Sequence, residues 1–306
     1  MPSISVVIPV FNGTRFITET IQSVWDQTYP PLEIIVVDDG SSDNSADIIS
    51  QLSGPIPLIY HFQPNQGSAT ARNRGVAIAK GEWVALLDQD DVWYPDKLAA
   101  QTDRIRTEPR VPFVYSGFDC IDEAGRLIPV PKAITKRDPL FQNQPVAVPV
   151  TVLVNKEVFV NLGGFNEFIR LGEDALFYRI ALEHPIDRIP RSLIKYRRHL
   201  SQTSKSKRVW EETYPLFHQA AWEVFRDNPE KQAILARKTA VVYTDLGRHF
   251  LRTGEYVRAR HWFRESRSLY PWSWTNIRLW GLSYLPGFRE WYRARKAKPK
   301  GRMREQ

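Results

Sequence analysis

WVALLDQDD, residues 83–91, sets an unbroken apolar run directly against three carboxylates. Short apolar runs lying between helical patterns are what a parallel sheet covered on both faces requires. The chain supplies several: SVVIPV (5–10), EIIVV (33–37) and LIYHF (58–62) come before it. Between them Phe16, Ile17, Ile21 and Val24 recur at helical spacing, a second helix starts near Ser42-Asp43, and a third covers SATARNRGVAIA (68–79). The alternation predicts an α/β layered domain, a mostly parallel sheet flanked by helices and joined by right-handed crossovers. Ligands of such sheets sit beyond the carboxyl ends of the strands. Polar clusters stand there, as Asn12-Gly13, Asp38-Asp39-Gly40 and Asp88-Gln89-Asp90-Asp91.

Further along, residues 118–145 carry Pro129, Pro131, Pro139 and Pro145 and read as loop. VAVPVTVLV (146–154) reads as a strand region, EDALFYRIALEH (173–184) as a helix, and DRIPRSLIKYRRH (187–199) as one or two short strands. Beyond Ser201 strand signals stop and helices follow. Charge divides the chain at the same place. Residues 1–200 hold 20 Lys and Arg against 24 Asp and Glu, a net of −4, whereas residues 201–306 hold 22 against 10, a net of +12. Seven of the ten tryptophans also lie in that last part, so its surface differs in kind from the rest. Cys120 is the single cysteine, which excludes an intrachain disulfide or a cysteine metal cluster and fits a reducing, cytoplasmic setting. No apolar stretch reaches the roughly 18 residues of a membrane span. No basic leader precedes the first apolar run, so a secretory signal is not expected.

Three carboxylates crowded at one strand end repel one another. Hard oxygen ligands in small number suit Mg²⁺ or Mn²⁺ shared with phosphates. Acids opening the next helix would fit the same residues, because carboxylates are favourable near a helix N-terminus. VVDDGSSDNS (36–45) reads first as a strand, turn and helix cap, though a carboxylate there could also accept from a nucleobase or ribose. Asn65-Gln66-Gly67 leads into a helix bearing Arg72, which is either solvated or set to meet a base or diphosphate.

Taken together, SVVIPVFN, VVDDGSSD about 30 residues on, and NQGSATARNRGVAIAKGEWVALLDQDD resemble the N-terminal half of family 2 glycosyltransferases, over roughly residues 3–200. The resemblance implies a GT-A fold, inverting chemistry, a nucleotide-diphosphate sugar as donor (a UDP-sugar foremost), and Mn²⁺ or Mg²⁺ held at the DxD element. Carried over by position, it implies that Pro9, Val10 and Phe11 line the base pocket and that Asp38 or Asp39 recognises the base. Arg72 contacts the nucleotide, Asp88 lies near ribose and metal, and Asp90, with Asp88 and Asp91, holds the metal. It implies further that Asp174 is the catalytic base and that Glu173 positions the acceptor, a glycan or lipid-linked group. A base is required because an acceptor hydroxyl is a poor nucleophile until its proton has a destination. His199, in Tyr196-Arg197-Arg198-His199, falls where similar enzymes offset leaving-group charge. The QxxRW pattern of processive members is absent.

The expected organisation is therefore a transferase domain over 1–204, with a donor half (1–115) and an acceptor half (116–204), and a helical region over 205–306. Within the latter, Tyr243, Leu246-Gly247, Phe250, Ala259, Phe263 and Pro271 follow the offsets of a tetratricopeptide hairpin over about 237–271, with Gly254-Glu255 at the turn. Ser266 stands where a small Ala is usual. The final segment 276–306 mixes aromatics with nine basic and two acidic residues. That composition suits the surface of an anionic membrane through 275–304, on the inner face of the plasma membrane. No nucleic-acid motif accompanies the charge. Two other classes compete: a nucleotidyltransferase, which has no use for Glu173-Asp174, and a non-catalytic helical scaffold, which has no use for the acids at the strand ends.

Overall fold

The computed structural model describes residues 1–130, 137–138, 141–142, 144–145, 147–168, 173–199, 202 and 207–271. Its contacts divide the chain into two compact units, residues 1–205 and 206–306.

In the first unit, β1 (Ile4–Val10), α1 (Ile17–Trp25), β2 (Glu33–Asp38), α2 (Ser45–Gln51), β3 (Leu58–Phe62), α3 (Ser68–Ile78) and β4 (Trp83–Leu86) alternate as the sequence predicts. There follow β5 (Val92–Trp93), α4 (Lys97–Thr107), β6 (Phe113–Ile121), β7 (Leu127–Ile128), β8 (Arg137–Asp138) and β9 (Gln144–Pro145). A 3₁₀ turn over Pro149–Thr151 leads to β10 (Val152–Asn155), α5 (Lys156–Asn161), α6 (Glu173–Glu183) and β11 (Ile186–Arg197). The main sheet runs β3-β2-β1-β4-β10-β6-β11-β5, with β7 paired to β6. Its first four strands are parallel, β10 is antiparallel to both neighbours, and β5 pairs antiparallel with β11. Helices flank this mixed sheet, and the architecture is the GT-A kind.

Every residue of β1 and β2 is buried, as two covered faces demand. One face presents Val6, Ile8, Ile34 and Val36 to a core shared with Ile17, Ile21 and Val24 of α1 and with Leu98 and Ile105 of α4. On the other face α3 comes so close that a Cβ on Gly75 would lie 2.3 Å from a Val7 methyl. Small residues in α3 are thus a packing requirement.

Three expectations change. Residues 118–121 continue β6 and are not loop. The last strand is a single 12-residue element whose pairing with β6 slips at Ile189/Ser192 and Ser192/Lys195, where Gly117 is crowded by the carbonyls of Pro190 and Arg191. Finally, β5 separates Asp91 from α4, so the acids after β4 do not open a helix.

Among its described residues the second unit is helical, with α7 (Lys207–Val224), α8 (Pro229–Thr253) and α9 (Tyr256–Leu269). Asn228 caps α8 by accepting from the Lys231 N–H, and Gly254 closes it in the left-handed region at φ +90°. Tyr243, Leu246, Phe250, Trp262 and Phe263 form its core, and the Phe263 ring leaves no room for a Cβ on Gly247. Ser266 is buried and donates to the Ala240 carbonyl at 2.6 Å. No helix among the described residues is long and apolar enough to cross a membrane. Segment 275–304 lies outside the described residues.

Candidate active site

The loops after β1 and β2 are sewn together by backbone N–H groups. Asn12, at φ +52°, donates its N–H to Ser41 Oγ at 2.9 Å, and its own Oδ1 accepts from the Ser42 N–H at 2.8 Å. The Gly13 N–H donates to Ser45 Oγ at 2.8 Å. Asp38 is buried and accepts from the Ser41 N–H and the Tyr60 hydroxyl, both at 2.8 Å. Asp39, also buried, accepts from Gln63 Nε2, the Gln66 N–H and the Gly67 N–H, each at 2.8 Å. This second carboxylate therefore shapes the entry to α3. Gly40 is required beside it, because φ is +78° and a Cβ would lie 2.7 Å from the Asn65 nitrogen. Of the residues expected to line a base pocket, Pro9 and Val10 are buried and Phe11 is exposed.

The turn after β4 is held differently. Gln89 grips Phe11 through both backbone groups, accepting from its N–H at 2.8 Å and donating to its carbonyl at 3.0 Å. The Thr20 hydroxyl lies 2.9 Å from the carbonyls of both Gln89 and Asp91 and donates between them. Arg197 Nε donates to the Asp90 carbonyl at 2.8 Å. With its backbone fixed, the turn directs its acids toward cations and donors. Asp88 pairs with Arg72 at 2.5 Å, and Asp90 Oδ2 meets His199 Nε2 at 2.6 Å. Arg72 is itself buried, and its guanidinium lies 5.9 Å from the Phe165 ring. Burial, and then the charge of Asp88, pushes the Asp90 carboxyl above the ordinary carboxylate range, with His199 opposing.

Asp91 stands apart from the other two acids of the turn. It is wholly buried, and its Oδ1 accepts from the Arg197 N–H at 2.7 Å, tying the turn to β11. Burial, then the charges of Asp90 and Asp88, pushes its carboxyl well up. Its Oδ2 is buried without a hydrogen-bond partner among the described residues, so the carboxylate is held through one oxygen. Asp88 and Asp90 do fit a divalent cation, since two partly exposed carboxylates in mutual repulsion favour one. Among the described residues no group of three or more His, Cys, Asp or Glu could hold an ion alone. Such an ion would need oxygens from elsewhere, as Mg²⁺ ordinarily takes them from water and phosphate.

The segment leading to α6 is fastened to α3 next to Arg72. Asn73 brackets Phe165, accepting from its N–H at 2.9 Å and donating to its carbonyl at 2.8 Å, and it also donates to Glu167 at 3.0 Å. Gly164, at φ +67°, lets the chain pass, because a Cβ would lie 2.8 Å from Asn73 Oδ1. Residues 169–172 lie outside the described residues, and Glu173 and Asp174 are the first two residues of α6. Thus Arg72, Asp88, Asp90 and His199 are linked in pairs around one turn. Asp38 and Asp39 sit in a separate network. Thr20, Gln89, Arg197 and Asn73 were not singled out from sequence.

The model of the family described as Glycosyl transferase family 2 matches residues 5–163. An uncharacterized glycosyltransferase of Rickettsia felis is 32% identical over 215 residues, covering 67% of this chain and 35% of its own length. The chain thus spans about a third of that relative. TuaG of Bacillus subtilis, whose name assigns it provisionally to teichuronic acid biosynthesis, is 34% identical over 163 residues, covering 51% of this chain and 63% of TuaG. Among solved structures, S. aureus TarS 1–349 in complex with UDP-GlcNAc superposes with a TM-score of 0.60 at 19% identity, covering 95% of this chain and 92% of that one.

Proposed function

The chain belongs to glycosyl transferase family 2, and from that premise we propose that it moves a sugar from a nucleotide-diphosphate donor, a UDP-sugar, to an acceptor hydroxyl. The observation that carries the proposal is the turn after β4. There two crowded carboxylates, one pushed toward protonation, stand between Arg72 and His199 at the carboxyl ends of the strands. A nucleoside diphosphate brings the negative charge and the metal that such a site balances. The UDP and UDP-GlcNAc complexes of TarS support a UDP-sugar as donor.

In the proposed mechanism the base lies against Phe11 near the loop organised by Asp38 and Asp39, and Arg72 and His199 face the diphosphate. Asp88 and Asp90 would hold Mn²⁺ or Mg²⁺, which when bound supplies charge neutralisation for the departing diphosphate. Asp174 takes the acceptor proton as oxygen attacks the anomeric carbon opposite the leaving group, so configuration inverts; Glu173 positions the acceptor. TuaG supports a cell-surface polysaccharide setting. We further assign segment 275–304 to an anionic membrane surface, and the α8–α9 hairpin to a tetratricopeptide-like packing unit. Truncation after Leu285 should abolish binding to phosphatidylserine vesicles; retained binding would remove the membrane assignment.

The test is a panel of nucleotide-diphosphate sugars, read as release of nucleoside diphosphate by wild type and Asp174→Asn. One donor should be turned over, and the variant should lose about 10²–10⁴-fold in kcat, the usual worth of a general base. No turnover of any donor, or an unimpaired variant, would defeat the proposal.

A further inference from the structure

Arg197 is nearly sealed from solvent, yet each nitrogen of its headgroup has a partner. Nε donates to the Asp90 carbonyl at 2.8 Å, and Nη2 pairs with Glu19 on α1 at 2.5 Å. Nη1 reaches the carbonyls of Asp122 and Glu123, after β6, at 3.3 and 3.4 Å. Its backbone N–H holds Asp91 at 2.7 Å. The guanidinium also lies 4.5 Å from the centroid of the Phe16 ring, and the same ring packs against His199 at 5.5 Å. Arg15 lies 4.8 Å from that centroid and pairs with Glu123 at 2.7 Å. One side chain therefore joins the loop after β1, the turn after β4 and the turn after β6, two residues before the histidine that meets Asp90.

We propose that Arg197 is a positioning residue for this site: it fixes the Asp90 backbone and, through Phe16, the His199 ring, so that both stand ready for a metal-bound diphosphate. The proposal rests on the donor-site reading of Asp88 and Asp90. Three carbonyls of the turn, those of Gln89, Asp90 and Asp91, are each claimed by a side chain, Thr20 or Arg197. A turn whose carbonyls are all engaged cannot rotate a peptide without breaking a bond, and only the carboxylates remain to adjust. The planar fork of arginine suits this task, because five N–H groups in fixed geometry can serve acceptors in three directions at once. Lysine keeps the charge but not the fork. Glu19 is the half-exposed counter-charge that makes burial of the guanidinium tolerable, so it acts on the site only through Arg197.

The experiment titrates UDP into the full chain with and without Mn²⁺ for wild type, Arg197→Lys and Glu19→Gln, alongside amide hydrogen exchange without metal and thermal unfolding. Arg197→Lys should weaken Mn²⁺-dependent UDP binding by about 10–100-fold, the range seen when groups supporting metal ligands are lost. It should also speed exchange at the Asp90 and Asp91 amides. Glu19→Gln, which keeps an acceptor and guards against misfolding of the first variant, should give the same pattern at smaller amplitude. Equal Mn²⁺-dependent affinity in the folded variants would overturn the proposal. So would a loss of affinity that is the same with and without Mn²⁺, which marks a merely structural residue. A wild type whose UDP binding ignores Mn²⁺ contradicts the donor-site reading itself, and is seen before any variant is compared.

Discussion

Two pairs of acids stand at the ends of the two parallel strands that flank β1, Asp38-Asp39 at the end of β2 and Asp88 with Asp90 after β4, and they are held in opposite ways. The first pair accepts from neutral donors: backbone N–H groups of Ser41, Gln66 and Gly67, the Tyr60 hydroxyl and the Gln63 amide. Its negative charge is spent on shaping loops. The second pair faces Arg72 and His199 and repels itself, with the backbone beneath it pinned by Thr20 and Arg197. Its charge is met by a guanidinium and an imidazole rather than by backbone donors. What distinguishes the two pairs is the kind of group that holds them.

The contrast can be broken by stability measurements. Asp39→Asn should have the larger effect, because an amide cannot serve three donors and turns its own N–H₂ toward one of them. A loss of about 3 kcal/mol is expected for a buried charge-assisted network, or a fall in Tm of roughly 6–12 °C for a unit of this size. An unchanged Tm would show that the loop before α3 stands without it. Asp90→Asn should act weakly and with the other sign. Burial and Asp88 raise the folded-state pKa of Asp90, so between the ordinary carboxylate range and that raised value the folded state binds more protons than the unfolded state. Stability then falls as pH climbs through that window, and above it the penalty is fully in force. Substitution removes it, so in metal-free buffer at pH 7 the Tm should hold or rise slightly. A clear fall would mean that Asp90 is as structural as Asp39.

Much of this arrangement was legible in the sequence, and the limits follow physical lines. Buried parallel strands announce themselves as continuous apolar runs, so β1 to β4 and the polar clusters beyond them could be placed. The division of labour among acids could not, because it is decided by partners far along the chain. Asp91 is claimed by the backbone of Arg197, 106 residues away, and Asp39 by the loop at Gln63–Gly67. Nothing in DQDD distinguishes its third acid from its second. The length of β6 was hidden because Ser116, Gly117 and Asp119 interrupt its apolar pattern, and the slips in β11 accommodate Gly117 against Pro190 and Arg191. Arg197 offered a faint signal, a basic pair next to a histidine. Its burial was not predictable from a charged tetrapeptide.

The central claim is that Asp88 and Asp90 form the charge-poised half of a nucleotide-diphosphate site. It is tested most directly by calorimetric titration of UDP into the full chain, with and without Mn²⁺, on wild type and Asp90→Asn. The account predicts binding that Mn²⁺ strengthens in the wild type and does not strengthen in the variant, whose Tm is undiminished. UDP binding that is indifferent to both Mn²⁺ and Asp90 would contradict it.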